Sequence, residues 1–574
     1  SEPALREQAA RLRDLVAADA SLSAADVGHA LVTTRTPFEH RAVVLGGGRA
    51  EALAGLDLVA AGGASERVVR GTATGPAGPV VFVFPGQGSQ WLGMGRRLYA
   101  ESAVFARAID ACERALAPHV DWSLVDVVRG AESAASLERV DVVQPALFAM
   151  MVSLARLWRS LGVVPEAVVG HSQGEIAAAC VSGALSLQDA ARIVALRSRA
   201  LTDLAGLGGM SAVAAPVAWV RDRLARWPGR LSAAAVNGPA SVVISGDDEA
   251  LDEFAEMASG DGVRVRRVKV DYASHSHHVE RIRARLVADT AGVSPRESAV
   301  RFYSTVTGGL LDARALDGSY WYDNLRSMVR FGEVVEGLMR EPGAVFVEVS
   351  PHPVLQVAME ESADALAVPP TVVSTLHRQD GSAGKVLASL AELHVRGVPV
   401  DWTALFTASR PRRVTLPTYA FQRRRYWLAA SDATGATSGP AAAAGAPGAG
   451  AGGADLGSQA AVLALVRAET AALLSANGVA LTEADLTARP SATFKELGFD
   501  SSMAVRLRNR LTAAAAVRLP ATVAFTYPTV RGLGLHLFSL LEPRAPDVPE
   551  PGGATSPESR SDDDLYALIE RGYA

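Results

Sequence analysis

Ala167-Val168-Val169-Gly170-His171-Ser172-Gln173-Gly174-Glu175-Ile176-Ala177-Ala178-Ala179 decides how this chain is read. Three apolar residues of strand character run into a Gly-x-Ser-x-Gly turn, and a helical stretch follows at once. A strand turning this sharply into a helix needs glycines around a residue held in a strained conformation. The turn exposes the Ser172 hydroxyl and aims the next backbone N–H at a reacting carbonyl. Five-residue patterns recur by chance, so the flanking strand and helix carry much of the signal. Without them the segment is an ordinary βα turn.

Working outward, Val80-Val81-Phe82-Val83-Phe84 is a continuous apolar run that ends in Pro85-Gly86-Gln87-Gly88-Ser89-Gln90. Such a run fits a parallel strand buried on both faces. Residues 146–161 are helical, and Val345-Phe346-Val347-Glu348-Val349 returns to buried-strand character. Alternating strands and helices predict an α/β fold with a parallel sheet. Between 209 and 274 the pattern changes to strand 210–214, helix 216–227, strand 231–236, strand 241–245, helix 247–259 and strand 263–270. That βαββαβ order predicts a ferredoxin-like subdomain inserted into the larger one. Residues 1–78 read as a small αβ piece, with a helix over 4–19, a strand over 41–45 and a helix over 49–61. Residues 429–457 are nearly all Ala, Gly, Ser, Thr and Pro. Such a linker cannot bury a core and spans about 30 Å on average. Residues 458–542 show helical stripes at 460–474, 502–514 and 529–541, and 543–574 form a Pro-rich, then acidic tail.

The whole chain of 574 residues is 49% hydrophobic and 20% charged, which allows a large core and argues against global disorder. Its net charge of −5 is too mild for a general binder of nucleic acid or membrane surfaces. Two cysteines, Cys112 and Cys180, form no C-x-x-C pair or His/Cys cluster, so neither a metal site nor a disulfide framework is expected. Few thiols fit a reducing cytoplasm. The N-terminus lacks the pattern of a signal peptide, and no transmembrane helix is expected.

A serine nucleophile needs a base. His275, in Tyr272-Ala273-Ser274-His275-Ser276, stands where the chain returns from the inserted subdomain, but His277 and His278 are close by and residue type alone does not choose among them. Arg197 lies 25 residues after Ser172. A guanidinium grips a carboxylate through two parallel hydrogen bonds. The alternative is a surface arginine on an amphipathic helix beside Arg192 and Arg199.

Five motifs together resemble the acyltransferase domain of modular type I polyketide synthases and, more distantly, the malonyl-CoA:carrier-protein transacylases. They are Gly86 to Gln90, Gly170 to Gly174, Leu196-Arg197-Ser198, Tyr272 to Ser276 and Val349-Ser350-Pro351-His352-Pro353. The resemblance covers roughly residues 80–375 and implies an α/β-hydrolase-like fold. It implies Ser172 as the acylated nucleophile and His275 as general base, then acid. It implies backbone N–H groups of Gln87 and Gln173 as the oxyanion hole, Asn324 orienting His275 through its main-chain carbonyl, and Arg197 binding the extender carboxylate. No metal is implied. Tyr272, Ala273 and Ser274 match the methylmalonyl-type base motif, where malonyl-selective relatives carry a bulkier His-Ala-Phe-His. Ser274 in place of phenylalanine leaves room for an α-methyl, worth about 1–3 kcal/mol of discrimination.

Leu497-Gly498-Phe499-Asp500-Ser501-Ser502 resembles the attachment site of acyl carrier proteins. This implies an all-α, four-helix carrier domain with 4'-phosphopantetheine covalently held on Ser501, at a helix N-terminus that suits a phosphodiester. Relatives usually carry leucine where this chain has Ser502. Residues 458–542 hold eight Arg/Lys and six Asp/Glu, so an acidic recognition surface is not obvious. Residues 1–78 resemble the linker after a ketosynthase, and 376–428 the linker after an acyltransferase, which folds back on the ketosynthase. The resemblance therefore implies methylmalonyl-CoA as substrate, with a ketosynthase domain, a phosphopantetheinyl transferase and, through the tail, a neighbouring synthase module as partners. With no ketosynthase or ketoreductase fingerprint in the chain, the reading is a piece of a non-reducing module, or a loading didomain. A serine hydrolase is the rival class; it would place a carboxylate behind the histidine.

Overall fold

The computed structural model describes residues 1–423 and 458–541, apart from residues 64, 66, 74, 76, 365, 367–369, 408, 478, 480, 500, 516 and 521. The Ala/Gly linker, the acidic tail, Asp500 and most of the Arg423 to Trp427 stretch lie outside the described residues. The strands, in chain order, are β1 (His40–Val44), β2 (Val68–Thr72), β3 (Val80–Phe84), β4 (Ala167–Gly170), β5 (Gly209–Val213), β6 (Leu231–Gly238), β7 (Ser241–Gly246), β8 (Val265–Arg267), β9 (Arg301–Ser304), β10 (Gly309–Leu311), β11 (Val345–Glu348) and β12 (Thr371–Ser374).

The main sheet has the order β10-β9-β4-β3-β11-β12. All its pairings are parallel except that of β10, an antiparallel edge. β3 is buried at every position because both faces of the sheet are covered. Phe82 and Phe84 pack with the helices Ala103–Leu116, Val140–Ser160 and Leu187–Leu201, whereas Val81 and Val83 pack with Phe331–Met339 and Gln356–Ala363. The helix Val140–Ser160 is long and apolar enough to cross a membrane, but most of it is buried in this core. β3 and β4 end side by side, with Phe84 opposite Gly170. The two glycine-rich turns therefore meet at the carboxyl edge of the sheet, where parallel α/β sheets place their ligands.

The small subdomain is a four-stranded antiparallel sheet of order β6-β7-β5-β8, backed by the helices Val217–Leu224 and Asp248–Gly260 around Val220, Ile244 and Phe254. Its last strand is much shorter than the sequence predicts. β8 pairs with Ser211–Val213 of β5, the Val268 N–H donates once more to the Met210 carbonyl, and the chain then leaves the sheet toward the larger subdomain. β6 also reaches the large subdomain, through Val236 N–H to the Val329 carbonyl and Val329 N–H to the Ala234 carbonyl, both 2.9 Å.

The N-terminal piece holds two elements that hydrophobic periodicity missed. The helix Ala24–Thr34 starts at a Ser23/Asp26 capping box, a signal present in the sequence. β2 pairs antiparallel with β1. The stretch expected to fold back on a ketosynthase lies here against this N-terminal piece: Leu416 packs with Leu12 and Val16, and the Arg412 N–H donates to Asp26. The helix Ala383–Val395 joins the main core through Val386, Leu390 and Leu393. The carrier region is all helical. The described segments are Gln459–Ala476, Glu483–Ala488, Ser501–Ala515, Val523–Thr526 and Val530–Leu541, five where four were expected, because the connection before Tyr527 forms a single helical turn of its own.

Candidate active site

The elbow has the strain its sequence predicts. Ser172 sits at φ 53°. A Cβ on Gly174 would lie 2.0 Å from the Phe84 carbonyl oxygen, and one on Gly170 would lie 2.1 Å from the Glu175 nitrogen. Only glycine lets β3, β4 and the helix Gly174–Ser182 approach this closely. His171 shapes the turn from behind: its Nε2 is 2.8 Å from Asn237 Oδ1 at the end of β6, and its ring packs on Phe331.

Ser172 Oγ lies 2.8 Å from His275 Nε2. His275 Nδ1 lies 2.7 Å from the Ser327 carbonyl oxygen, an acceptor only, so Nδ1 carries the proton and Nε2 presents its lone pair to the serine. Here the expectation for Asn324 is corrected. The carbonyl that orients His275 belongs to Ser327, just past the end of the helix Gly318–Arg326, and the Leu325 carbonyl accepts from the His275 backbone N–H at 2.9 Å, which holds the ring against that stretch of chain. Among the described residues, no carboxylate stands behind His275, which separates this arrangement from a hydrolase triad. His275 itself has φ 57°, a left-handed backbone that the sequence did not foretell. Burial, then the Arg197 guanidinium, push its pKa down to about 3. The neighbouring histidines are otherwise engaged. His278 Nε2 is 2.8 Å from Asp247 Oδ1, and His277 stacks on His278 at the surface. Asp247, His277 and His278 are also the one grouping among the described residues with the spacing of metal ligands, and Arg230 already pairs with the same carboxylate.

Arg197 is buried to 1% exposure, which rules out a surface arginine. Nη1 donates to Gln144 Oε1 at 2.8 Å. Nη2 lies 3.5 Å from Ser172 Oγ and 3.4 Å from Asn324 Oδ1. Among the described residues its Nε has no partner. Burial pushes its pKa down to about 10, which leaves it charged at neutral pH. Tyr272, also buried, donates to Gln87 Oε1 at 3.0 Å and lies 3.4 Å from Gln144 Nε2. Gln173 is buried with both side-chain polar atoms unpartnered. Ala273 is fully buried, and the Ser274 hydroxyl lies 3.3 Å from Met210 Sδ on β5, so this segment lies against the small subdomain.

The arrangement offers an activated hydroxyl, a neutral base and a buried cation with a free donor. Comparison with known proteins gives it a family. Residues 81–400 match the family model described as the acyl transferase domain, and residues 476–537 match the phosphopantetheine attachment site.

The chain belongs to the acyl transferase domain family.

Its relatives are modular polyketide synthases. Spectinabilin polyketide synthase system protein NorC of Streptomyces orinoci is 49% identical over 96% of this chain and 25% of its own length. Erythronolide synthase EryA2 of Saccharopolyspora erythraea is 51% identical over 74% of this chain and 12% of its own length. The chain thus spans a quarter or less of these curated relatives. The solved acyltransferase domain from module 8 of the salinomycin polyketide synthase is 50% identical, covers 70% of this chain and 96% of that domain, and superposes with a TM-score of 0.68.

Within this acyl transferase, two contributors escaped the sequence reading: Gln144 and Ser327. Gln144 is a buried amide between the apolar Val142, Val143, Ala146 and Leu147, next to Pro145, and that oddity was its signal. Ser327 contributes only a carbonyl, which no side-chain pattern reveals. The attachment-site match shows a region that bears covalently bound 4'-phosphopantetheine. The structure fits the group: Ser501 opens the helix Ser501–Ala515, whose first-turn N–H groups suit a phosphate.

Proposed function

We propose that this acyl transferase moves a methylmalonyl unit from coenzyme A through an ester on Ser172 to its carrier region. Arg197 carries the reading: a fully buried guanidinium with an unpartnered Nε, 3.5 Å from the serine hydroxyl, is a costly arrangement unless a carboxylate completes it. A monocarboxylic acyl group would leave that donor unpaired.

In the first half-reaction the Ser172 hydroxyl gives its proton to His275 Nε2 as Oγ attacks the thioester carbonyl. The Gln87 and Gln173 N–H groups receive the developing oxyanion; among the described residues neither has another acceptor. His275 then hands the proton to the leaving thiolate of coenzyme A. When attached, the pantetheine arm supplies the thiol that accepts the acyl group. In that half-reaction His275 takes the thiol proton and returns it to Ser172 Oγ. Tyr272 closes one wall of the pocket through Gln87 and Gln144. Ser274, small and turned to Met210, leaves volume for the α-methyl. Ser501 is the attachment serine.

On this reading the partners are a ketosynthase domain, a phosphopantetheinyl transferase and a neighbouring module, and the chain works in the cytoplasm. The large subdomain is α/β-hydrolase-like, and the βαββαβ order of the small one supports a ferredoxin-like assignment. Competition tests the substrate: with equal methylmalonyl-, malonyl- and propionyl-CoA, intact-protein mass should find mainly the methylmalonyl ester. A dominant propionyl ester would refute the dicarboxylate reading, and a dominant malonyl ester the α-methyl pocket.

A further inference from the structure

Glu175 is a fully buried carboxylate that no step above uses. Among the described residues it forms no ion pair. Oε1 accepts from the Thr305 N–H at 2.5 Å and lies 2.8 Å from the Thr305 hydroxyl. Oε2 accepts from Tyr320 at 2.5 Å and from Asn324 Nδ2 at 2.9 Å. A carboxylate buried without a cation is expensive: burial pushes the Glu175 pKa up, and the hydrogen bonds from Tyr320, Thr305 and Asn324 act against that.

Asn324 links this carboxyl group to the reacting centre. Its Nδ2 has two hydrogens, one directed at Glu175 and one at the Ser172 carbonyl oxygen, 3.1 Å away. The Ser172 carbonyl accepts only, and Glu175 Oε2 already accepts from Tyr320, so the amide cannot flip without setting oxygen against oxygen. Oδ1 is thereby fixed on the other side, 3.4 Å from Arg197 Nη2. In its ionised form Glu175 also favours the charged form of Arg197, although no bond joins the two.

We propose that Glu175 is a positioning residue for substrate selection: through the locked amide of Asn324 it holds Arg197 in place beside Ser172 while leaving the guanidinium unneutralised and open to the acyl carboxylate. A direct Glu–Arg pair would occupy the donors that the substrate needs. One intervening amide keeps the carboxyl group near and the fork free. The inference rests on the reading of Arg197 as the carboxylate binder.

The test follows acylation of Ser172 in the full chain by intact-protein mass, with methylmalonyl-CoA and propionyl-CoA measured separately. Glu175→Gln, which lets the Asn324 amide flip, should raise the methylmalonyl-CoA concentration for half-maximal rate at least tenfold and change the propionyl-CoA rate less than threefold. Equal losses for both substrates mean that Glu175 only supports the elbow, and they overturn the proposal; so does no change for either. If Glu175→Gln does not fold, Asn324→Ala cuts the link with the carboxylate in place, and the same ratio decides. Arg197→Ala, run alongside, separates the two ideas. If it shows no selective loss of methylmalonyl-CoA, the carboxylate reading has failed and this inference falls with it. If it does and Glu175→Gln does not, only the role of Glu175 is refuted.

Discussion

Arg197 Nη2 stands 3.5 Å from Ser172 Oγ in a site where the guanidinium is completely buried. The cation is close enough for one acyl group to touch both, with its carbonyl at the serine and its carboxylate at the arginine. Arg197→Ala should therefore lower acylation by dicarboxylic thioesters about a hundredfold, the loss expected for a charge-assisted bidentate contact. Acylation by propionyl-CoA should hold or rise, as measured by the rate of ester formation on the intact protein.

The neutral state of His275 has a signature in pH. Its pKa falls from 6.5 to about 3 in the folded chain, through burial and then the Arg197 charge. Between those values the unfolded chain binds more protons, so this group costs stability as pH falls below about 6.5 and contributes no such loss above it. The base also stays unprotonated down the same range. Acylation at low substrate should stay flat from pH 8 to about 5, with no step near 6.5. A pH–rate profile that halves near 6.5 would show that His275 titrates as an ordinary histidine.

Gly174→Ala probes the elbow. With 2.0 Å between the new Cβ and the Phe84 carbonyl oxygen, either β3 or the helix must shift. A loss of about 3 kcal/mol is expected, seen as a lower unfolding midpoint in denaturant, with Ser172 acylation lost even where the protein remains folded.

Ser501→Ala should abolish the mass gain from a phosphopantetheinyl transferase and coenzyme A, and leave Ser172 acylation unchanged. Ser502→Ala should accept the group normally. Loss of attachment in Ser502→Ala, with retention in Ser501→Ala, would move the site by one residue.

Much of this was legible because the signals are local. The elbow is one strand, one turn and one helix, so Gly170 to Gly174 specify it within a few residues. β3 was legible from its continuous apolar run. What failed depends on chain crossings. Asn324 was expected to orient His275, but a backbone carbonyl leaves no mark on residue type, and Ser327 supplies it. β8 was read too long because Val268 and Val270 keep strand character while the chain departs for the base loop. Gln144 and Glu175 were visible only as polar residues among apolar neighbours, and their contacts depend on Tyr272 and Asn324, more than a hundred residues away.

The central claim is that Ser172 itself carries the acyl group. Chain lacking phosphopantetheine, incubated with methylmalonyl-CoA and measured by intact mass, should gain one methylmalonyl group, mapped by peptide analysis to Ser172 and absent in Ser172→Ala. An adduct of the same mass that persists in Ser172→Ala would contradict the account.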